Sequence, residues 1–329
     1  MAGGPTTPEL VAAVGDAGGL GLLAAGYLTA AAFAAQLDEL AALSGAPFGV
    51  NLFLPSPRRG DPAALAAYAE RLRPLAARFG TEPGAPRWDD DDLEAKLDVI
   101  CARRPAVVTF TFAAPETAMV TRVREATGAV VGATVTSAGE ARAAWDAGAD
   151  LLVAQGVEAG GHRGTFDDDD TPGLPLLELL ALVRQEVPDA PLVATGGLVD
   201  THDIRHAMAA GADAVQLGTA FLLTPEAGTN PAHRAALRDP HLDRTRLTRA
   251  FTGRTARGLD NAMARDPYGA PAAYPEVHHL TRPLRAAAAA VGDLETPHFW
   301  AGTRHAAITD ESAGALVARL LPAVGGPQA

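Results

Sequence analysis

Glycines and a histidine follow an apolar run in the segment from Gln155 to Gly164, which reads Gln-Gly-Val-Glu-Ala-Gly-Gly-His-Arg-Gly. Glycine lets a backbone adopt positive φ and approach a ligand closely, and histidine has an unperturbed pKa close to physiological pH. The segment therefore predicts a cofactor-binding loop that carries an acid–base group, His162. A glycine-rich turn with a surface histidine is the alternative interpretation.

Two later apolar runs also end in glycine, because Gly196-Gly197 follows one of them and Gly218-Thr219 follows the next. In (β/α)8 barrels, the loops after strands seven and eight commonly form a phosphate site from backbone N–H groups. The two glycine pairs fall at those positions and predict a phosphate site. The side chains of Gln216 and Thr219 can add hydrogen bonds, whereas the alternative is that the glycines only permit tight turns.

Three further features of the sequence are candidates for the site. Asn51 is a polar residue in the otherwise apolar run Gly49-Val50-Asn51-Leu52-Phe53, which predicts that its side chain points into a cavity. Arg163 is either a site residue or an ion-paired loop residue. The acidic run from Asp167 to Asp170 predicts no metal site, because consecutive carboxylates on a loop do not converge on one ion, and no metal ligands are assigned.

The composition excludes several classes of function. The 329 residues are 48% hydrophobic and 20% charged, and the net charge of −12 would repel nucleic acids and phospholipid surfaces. Lys96 is the only lysine, and Cys101 is the only cysteine, which excludes a disulfide framework and favours a reducing compartment. No apolar run reaches the roughly 18 residues of a membrane span, so we expect a cytoplasmic protein without membrane or nucleic-acid partners.

Apolar runs alternate with alanine-rich segments of helical period, and this alternation predicts parallel βα units of an α/β protein. We predict a (β/α)8 TIM barrel rather than a doubly wound sheet, because the glycine motifs follow late strands instead of the first one. Only seven strands are countable, and Thr7 to Val14 already has the pattern of the first helix, so the first strand is apparently truncated. The seven predicted strands are Leu20 to Leu23, Phe48 to Leu54, Val107 to Phe112, Val130 to Val135, Leu151 to Ala154, Leu192 to Ala194 and Ala214 to Leu217.

The predicted domain organisation has two parts. Residues 1–222 and 297–329 form the barrel, and residues 223–296 form a helical cap after strand eight, because that region has no strand pattern. Residues 55–102 are an excursion between two barrel strands, with proline-rich joints and the acidic run Asp89 to Asp92.

Several motifs, taken together, resemble the FMN-dependent nitronate monooxygenase family, formerly called 2-nitropropane dioxygenases, over essentially the whole chain. The most specific is the segment from Gln155 to Gly164 described above. The others are Thr7-Pro8-Glu9-Leu10, Ala17 to Gly21, Gly49 to Phe53, Gly196-Gly197, Gln216 to Leu222 and Phe251 to Gly258.

The resemblance implies a flavin barrel in which His162 is the catalytic residue and faces FMN. The family oxidises alkyl nitronates, such as propionate 3-nitronate, with O2 to a carbonyl compound and nitrite, and we expect a monomer or homodimer. Two departures from the family pattern are the truncated start and Thr303 in place of glutamine. The residues implied to contact FMN are Met1, Ala2, Gly3, Asn51, Gln155, Gly160, Gly161, Gly196, Gly197, Gln216, Leu217, Gly218 and Thr219.

Two alternative functions stay open at this point. One is an FMN- and NAD(P)H-dependent enoyl-acyl-carrier-protein reductase, which shares the barrel and a similar Gly-Gly-His loop, although Gln155 and Arg163 favour the monooxygenase. The other is a barrel that binds flavin without catalysis, and His162 argues against it.

Overall fold

The computed structural model describes residues 1–169 and 173–325 of the chain. The strands found within these residues are β1 Gly21–Ala24, β2 Phe48–Phe53, β3 Val107–Thr111, β4 Val130–Val135, β5 Leu151–Gln155, β6 Gly161–His162, β7 Leu192–Thr195, β8 Ala214–Gln216, β9 Thr245–Thr248 and β10 Ala256–Leu259. The helices are α1 Pro8–Asp16, α2 Ala30–Leu43, α3 Pro62–Arg78, α4 Leu93–Arg103, α5 Thr117–Thr127, α6 Ala138–Asp146, α7 Leu176–Glu186, α8 Thr201–Ala209, α9 Pro231–Arg238, α10 Glu276–Ala290 and α11 Ala313–Leu320.

One curled parallel sheet forms the centre of the molecule, with the strand order β1-β2-β3-β4-β5-β7-β8. Its seven strands are those counted from the sequence, so that prediction is confirmed. The α/β class is confirmed as well, because helices separate most of the successive strands and cover the outside of the sheet. Parallel strands buried on both faces require such apolar, β-branched runs.

The sheet is open between β1 and β8, and in this respect it differs from the predicted eight-stranded barrel. Among the described residues, β1 pairs only with β2, and β8 pairs only with β7. A cavity of about 340 Å³ lies at this seam, with a mainly apolar lining that includes Met1, Leu22, Val153 and Val215. Helix α1 precedes β1, as expected for a barrel whose first strand is not among the seven.

The repeated sequence Ala-Gly-Ala-Asp ends a helix and begins a strand at two places. In each, the glycine has positive φ, +96° at Gly148 and +101° at Gly211, which ends the helix. The aspartate then accepts a backbone N–H at the start of the preceding strand. Asp150 accepts the Val131 N–H at 2.9 Å, and Asp213 accepts the Leu192 N–H at 2.8 Å.

Residues 223–296 are not purely helical, so the prediction of a helical cap without strands is wrong in that respect. The region contains α9 and α10, but β9 and β10 form an antiparallel sheet with β6. These strands are four residues long, Thr-Arg-Leu-Thr and Ala-Arg-Gly-Leu, and are too short and too polar to give a recognisable pattern. Helix α3 from the 55–102 excursion packs on α10, so the excursion and this region share one core.

No helix in residues 1–169 or 173–325 has both the length and the apolar character needed to cross a membrane.

Candidate active site

His162 lies on β6, directly after the loop that leaves β5, and pairs with Ala256 of β10. Gln155, the last residue of β5, holds this loop in place with both ends of its amide. Its Nε2 donates to the His162 carbonyl at 3.1 Å, and its Oε1 accepts the Gly164 N–H at 2.8 Å. The end of a barrel strand therefore fixes the backbone on either side of the imidazole.

The His162 imidazole is neutral at physiological pH. Burial is the main reason that its pKa falls to about 3, and the positive charges of Arg254 and Arg285 lower it further. Its Nε2 lies 2.8 Å from Thr252 Oγ1, which is also 3.2 Å from the carbonyl oxygen of Arg254. Because a carbonyl can only accept, the Thr252 hydroxyl donates to it, and the His162 Nε2–H then donates to Thr252. This arrangement leaves Nδ1 as the basic nitrogen.

Aromatic rings surround His162 on several sides. The centroids of Tyr274 and Trp300 lie 5.5 Å from the imidazole, and that of Phe112 lies 6.0 Å away. The Arg254 guanidinium is 4.0 Å from the centre of the Phe112 ring, within the range of a cation–π contact. We call His162, together with Tyr274, Trp300, Phe112 and Arg254, the His162 chamber.

A second group of rings lies behind Tyr274. The Tyr274 hydroxyl donates to that of Tyr27 at 3.3 Å, and the Tyr27 ring stacks on His278 at 4.3 Å with an interplanar angle of 4°. Burial raises the pKa of Tyr27 to about 12 and lowers the pKa of His278, so both groups are neutral. The chamber wall thus continues as hydrogen-bonded, uncharged rings.

The acidic run Asp89 to Asp92 holds this wall from outside. Asp91 accepts the N–H of Tyr27 at 2.9 Å and forms an ion pair of 2.7 Å with the buried Lys96. This contact supports Tyr27 in a left-handed backbone conformation, with φ +69°, which is unfavourable for a tyrosine. Asp89 bonds to His279 Nε2 at 2.7 Å, next to His278 in the chain. The run therefore positions both members of the stacked pair.

The glycines after β7 and β8 form a second part of the site. The two strands pair through Thr195 and Gln216, so their loops are adjacent. Gly196 has φ +116° and Gly197 has φ +73°, conformations that favour glycine. In the described part of the chain, the N–H groups of Gly196, Gly197 and Gly218 donate to no acceptor. Free amides at adjacent strand ends suit an anion such as a phosphate.

The segment from Ala301 to Thr303 joins the histidine loop to these glycines. A side chain on Gly160 would lie 2.6 Å from the Gly302 nitrogen, so glycine permits the close approach of the two backbones. The Gly302 N–H donates to Thr219 Oγ1 at 3.0 Å, and the Thr303 N–H donates to the Glu158 carbonyl at 3.0 Å. The Thr303 backbone thus contacts the loop despite the departure from the family pattern.

The remaining predicted cofactor residues lie around these two groups. Asn51 donates to Thr109 Oγ1 and Thr111 Oγ1 at 2.9 and 3.0 Å, so its amide nitrogen is bonded to β3. Gly161 has φ +81° and open space where a side chain would be, and a side chain on Gly3 would lie 3.9 Å from Tyr27. Met1, Gln216, Leu217 and Gly218 line the seam cavity, and Ala2 is half-buried at the start of the chain.

The charged residues in and after the histidine loop contact other parts of the protein. Arg163 is buried and donates to the Gly156 carbonyl at 2.8 Å, so it supports the loop backbone rather than forming an ion pair there. In the run Asp167 to Asp170, Asp167 and Asp169 pair with Arg59, and Asp168 pairs with Arg249. Asp170 lies outside the described residues.

The described residues include one cluster with metal-ligand chemistry, formed by Asp200, His202 and Asp203. Asp200 already caps α8, and both carboxylates lie near Arg304. These contacts account for the cluster without an ion.

Sequence reasoning missed most of the His162 chamber. Thr252 and Arg254 lie in the Phe-Thr-Gly-Arg motif and could have been singled out there as polar residues among small and apolar ones. For Tyr27, Tyr274 and Trp300 the sequence gives no signal, because single aromatic residues are more often core than site.

The chain is similar to known proteins over nearly its whole length. The family model described as nitronate monooxygenase matches residues 1–323. A protein of Pseudomonas aeruginosa named nitronate monooxygenase is 41% identical over 333 residues, which cover 97% of this chain and 90% of that protein. A probable nitronate monooxygenase of Staphylococcus saprophyticus is 35% identical and is matched over 90% of its length by 95% of this chain.

The chain is also similar to solved protein structures. The structure of a nitroalkane oxidase from Streptomyces ansochromogenes has a TM-score of 0.93 and 49% identity, covering 98% of this chain and 93% of that chain. A structure of FabK from Thermotoga maritima is more distant, with a TM-score of 0.71, 28% identity and coverage of 98% and 90%. By its sequence and its fold, the chain belongs to the nitronate monooxygenase family.

Proposed function

We propose that this protein binds FMN and oxidises alkyl nitronates with O2 to a carbonyl compound and nitrite. The observation that carries the proposal is the neutral His162 held in an aromatic chamber next to strand-end loops with unpaired amides. Family membership supports the same activity. FMN, when bound, would accept electrons from the substrate and return them to O2, and such chemistry belongs to the cofactor rather than to the protein.

The chain's own residues would bind and orient the two ligands. The N–H groups of Gly196, Gly197 and Gly218 would hold the FMN phosphate. His162 would present Nδ1 to the substrate while Thr252 fixes its tautomer, and Tyr274 and Trp300 would exclude water from the chamber.

The reductase alternative has weaker support. FabK matches at 28% identity, whereas the nitroalkane oxidase matches at 49% with a clearly higher TM-score. The chamber is also bounded by tyrosine, histidine and arginine side chains, which suit a small polar substrate better than a long acyl chain.

Anaerobic titration of the purified protein with propyl nitronate or propionate 3-nitronate, followed by admission of oxygen, tests the proposal. We expect the flavin absorbance to bleach with nitronate and nitrite to be released. Bleaching by NADH but by neither nitronate would instead favour the reductase. A flavin that no reductant of either kind reduces would favour a barrel that binds flavin without catalysis.

A further inference from the structure

Arg285 is a buried cation that has no carboxylate partner in the described part of the chain. It lies on α10, is 5% exposed, and donates from Nε to Thr281 Oγ1 at 3.0 Å. Its two terminal nitrogens donate to His298 Nδ1 at 2.8 Å and to the His278 carbonyl at 3.2 Å. Within residues 1–169 and 173–325, no carboxylate oxygen lies within ion-pair distance of the guanidinium.

The charge on Arg285 persists at neutral pH, whereas the groups bonded to it are uncharged. Burial lowers the pKa of Arg285 to about 10, which still leaves it protonated. The pKa values of His278 and His298 are also lowered, first by burial and then by Arg285 itself. The other groups that act on Arg285 are Tyr27, Arg282 and Tyr68, and none of these is a carboxylate.

This arrangement differs from that of Arg254. Arg254 donates to the carbonyls of Arg163 and Thr165, and the Asp168 carboxylate makes the largest favourable contribution to its charge. Among the residues that the structure describes, Arg285 has no such carboxylate. A buried charge that lacks its partner is costly, and a purely structural role would be filled as well by a neutral residue. The positive charge is therefore expected to be balanced by a bound anion.

Two contacts connect Arg285 to the His162 chamber. His298 lies 5.2 Å from Trp300, measured between ring centroids, and Trp300 lies 5.5 Å from His162. On the other side, His278 stacks on Tyr27, whose hydroxyl bonds to Tyr274. Arg285 thus lies behind both walls of the chamber, and its charge lowers the pKa of His162 directly.

We propose that Arg285 makes the His162 chamber selective for the anionic nitronate over the neutral nitroalkane of the same carbon skeleton. This inference rests on the proposed function and adds the charge state of the substrate. A neutral nitroalkane would first have to lose a proton from carbon to His162, and an imidazole flanked by cations is a poor base. A preformed nitronate needs no such step and neutralises the buried charge.

The test compares ethyl nitronate with nitroethane, which share a skeleton and differ by one proton. In the FMN-loaded Arg285→Met variant, we expect kcat/KM for the nitronate to fall roughly 10- to 100-fold. Most of this fall should appear in KM, because the attraction acts equally on the bound anion and the transition state. The value for nitroethane should not fall.

Two variants serve as controls. Arg285→Lys keeps the charge and should retain most of the nitronate preference. Arg205→Met removes a charge from an exposed position of α8, a helix that carries none of the chamber residues, and should leave the preference unchanged. Thermal unfolding of each variant shows whether a loss of rate reflects a loss of fold.

Binding of nitrate to the FMN-loaded protein, measured by calorimetry, separates this inference from the proposed function. Nitrate is a planar monoanion like the nitro group of a nitronate. About tenfold weaker nitrate binding in Arg285→Met would support the anion site even if neither nitronate nor nitroethane were oxidised by the wild type. The inference is wrong if Arg285→Met keeps both the nitrate affinity and the nitronate preference of the wild type.

Discussion

The two ends of the candidate site are built from different parts of the chain. The glycine end consists of Gly196, Gly197 and Gly218, which offer backbone N–H groups from loops that follow adjacent strands. The histidine end consists of the His162 chamber and the groups behind it, among them His278 and Arg285, which offer side chains. Both ends suit anions. The glycine end offers the dipoles of backbone N–H groups, and the histidine end offers the buried charge of Arg285.

This difference determines what each end depends on. Backbone amides do not titrate, and their direction is fixed by the local φ and ψ of two or three residues. The histidine end depends on side chains contributed by segments from residue 27 to residue 300, and on the burial that keeps three histidines neutral. We expect substitutions at the two ends to affect different measurements.

Replacement of His162 by alanine should have the largest effect and should separate the two ends. We expect kcat with nitronates to fall about 10²- to 10⁴-fold, the range typical for loss of a positioned acid–base group. The flavin content of the purified protein should stay near that of the wild type, because the unpaired amides of the glycine end are unchanged. Absorbance spectra and nitrite release measure both quantities.

Thr252→Val is the matched variant, since it removes only the hydroxyl that bonds to His162 Nε2. A smaller fall in kcat than for His162→Ala is expected. Full activity of His162→Ala would remove the imidazole from the mechanism, and loss of flavin would show that the two ends are not independent.

The glycine end could be predicted from the sequence because its signal is local. An apolar run followed by Gly196-Gly197 indicates where a strand ends and where the backbone turns with positive φ, and the structure has both features. The seven strands and His162 at a strand end follow from similar local patterns. The same patterns give the count of seven strands, but the eight-stranded barrel inferred from them differs from the open sheet.

The histidine end could not be predicted in the same way. Tyr27, Tyr274 and Trp300 come together only because the excursion, the short antiparallel sheet and α10 pack around the open ends of the strands. Arg285 resembles any arginine in a helix until its burial and its partners are known. The acidic run was noted from the sequence, but its role in holding Tyr27 depends on tertiary contacts.

Lys96→Met tests whether the histidine end depends on remote support. The change leaves the Asp91 carboxylate buried without its cation, and removal of one partner of a buried pair typically costs about 3–5 kcal/mol. We expect the free energy of unfolding to fall by this amount and KM for nitronates to rise, because Asp91, which accepts the Tyr27 N–H, loses the cation that holds it in place. Denaturant unfolding and steady-state kinetics provide the measurements.

The double variant with Asp91→Asn removes the uncompensated charge and should recover part of the lost stability. If Lys96→Met leaves both unfolding and KM unchanged, the acidic run does not position the chamber wall.

Gly196→Ala tests the glycine end, and its expected effect is smaller than that of Lys96→Met. The residue has φ +116°, and a side chain there would lie 3.1 Å from the Ala159 nitrogen, so the backbone must shift. Strain of about 1–3 kcal/mol corresponds to roughly a 10- to 100-fold loss of FMN affinity if the amide moves out of place. Fluorescence titration of the apoprotein with FMN measures this affinity.

Gly139→Ala, on a helix with open space around it, is the control and should not weaken FMN binding.

The dependence of the unfolding free energy on pH should show the smallest of these effects. It tests the histidine end, because the backbone amides of the glycine end do not titrate. His162 and His233 have folded pKa values of about 3 and 4 against 6.5 when unfolded, and the pKa of His278 is lowered too. Below pH 6.5 the unfolded chain therefore binds more protons, and stability falls as the pH decreases towards 4. The pKa of Asp91 is raised to about 6 in the folded protein. Below that pH the folded state binds a proton at Asp91 that the unfolded chain does not yet bind, and this opposes the trend. In His278→Gln, the slope of unfolding free energy against pH should decrease by about 1.4 kcal/mol per pH unit. An unchanged slope in this variant would mean that His278 has the same pKa in the folded and the unfolded protein, and the assignment of an uncharged wall in front of Arg285 would then be wrong.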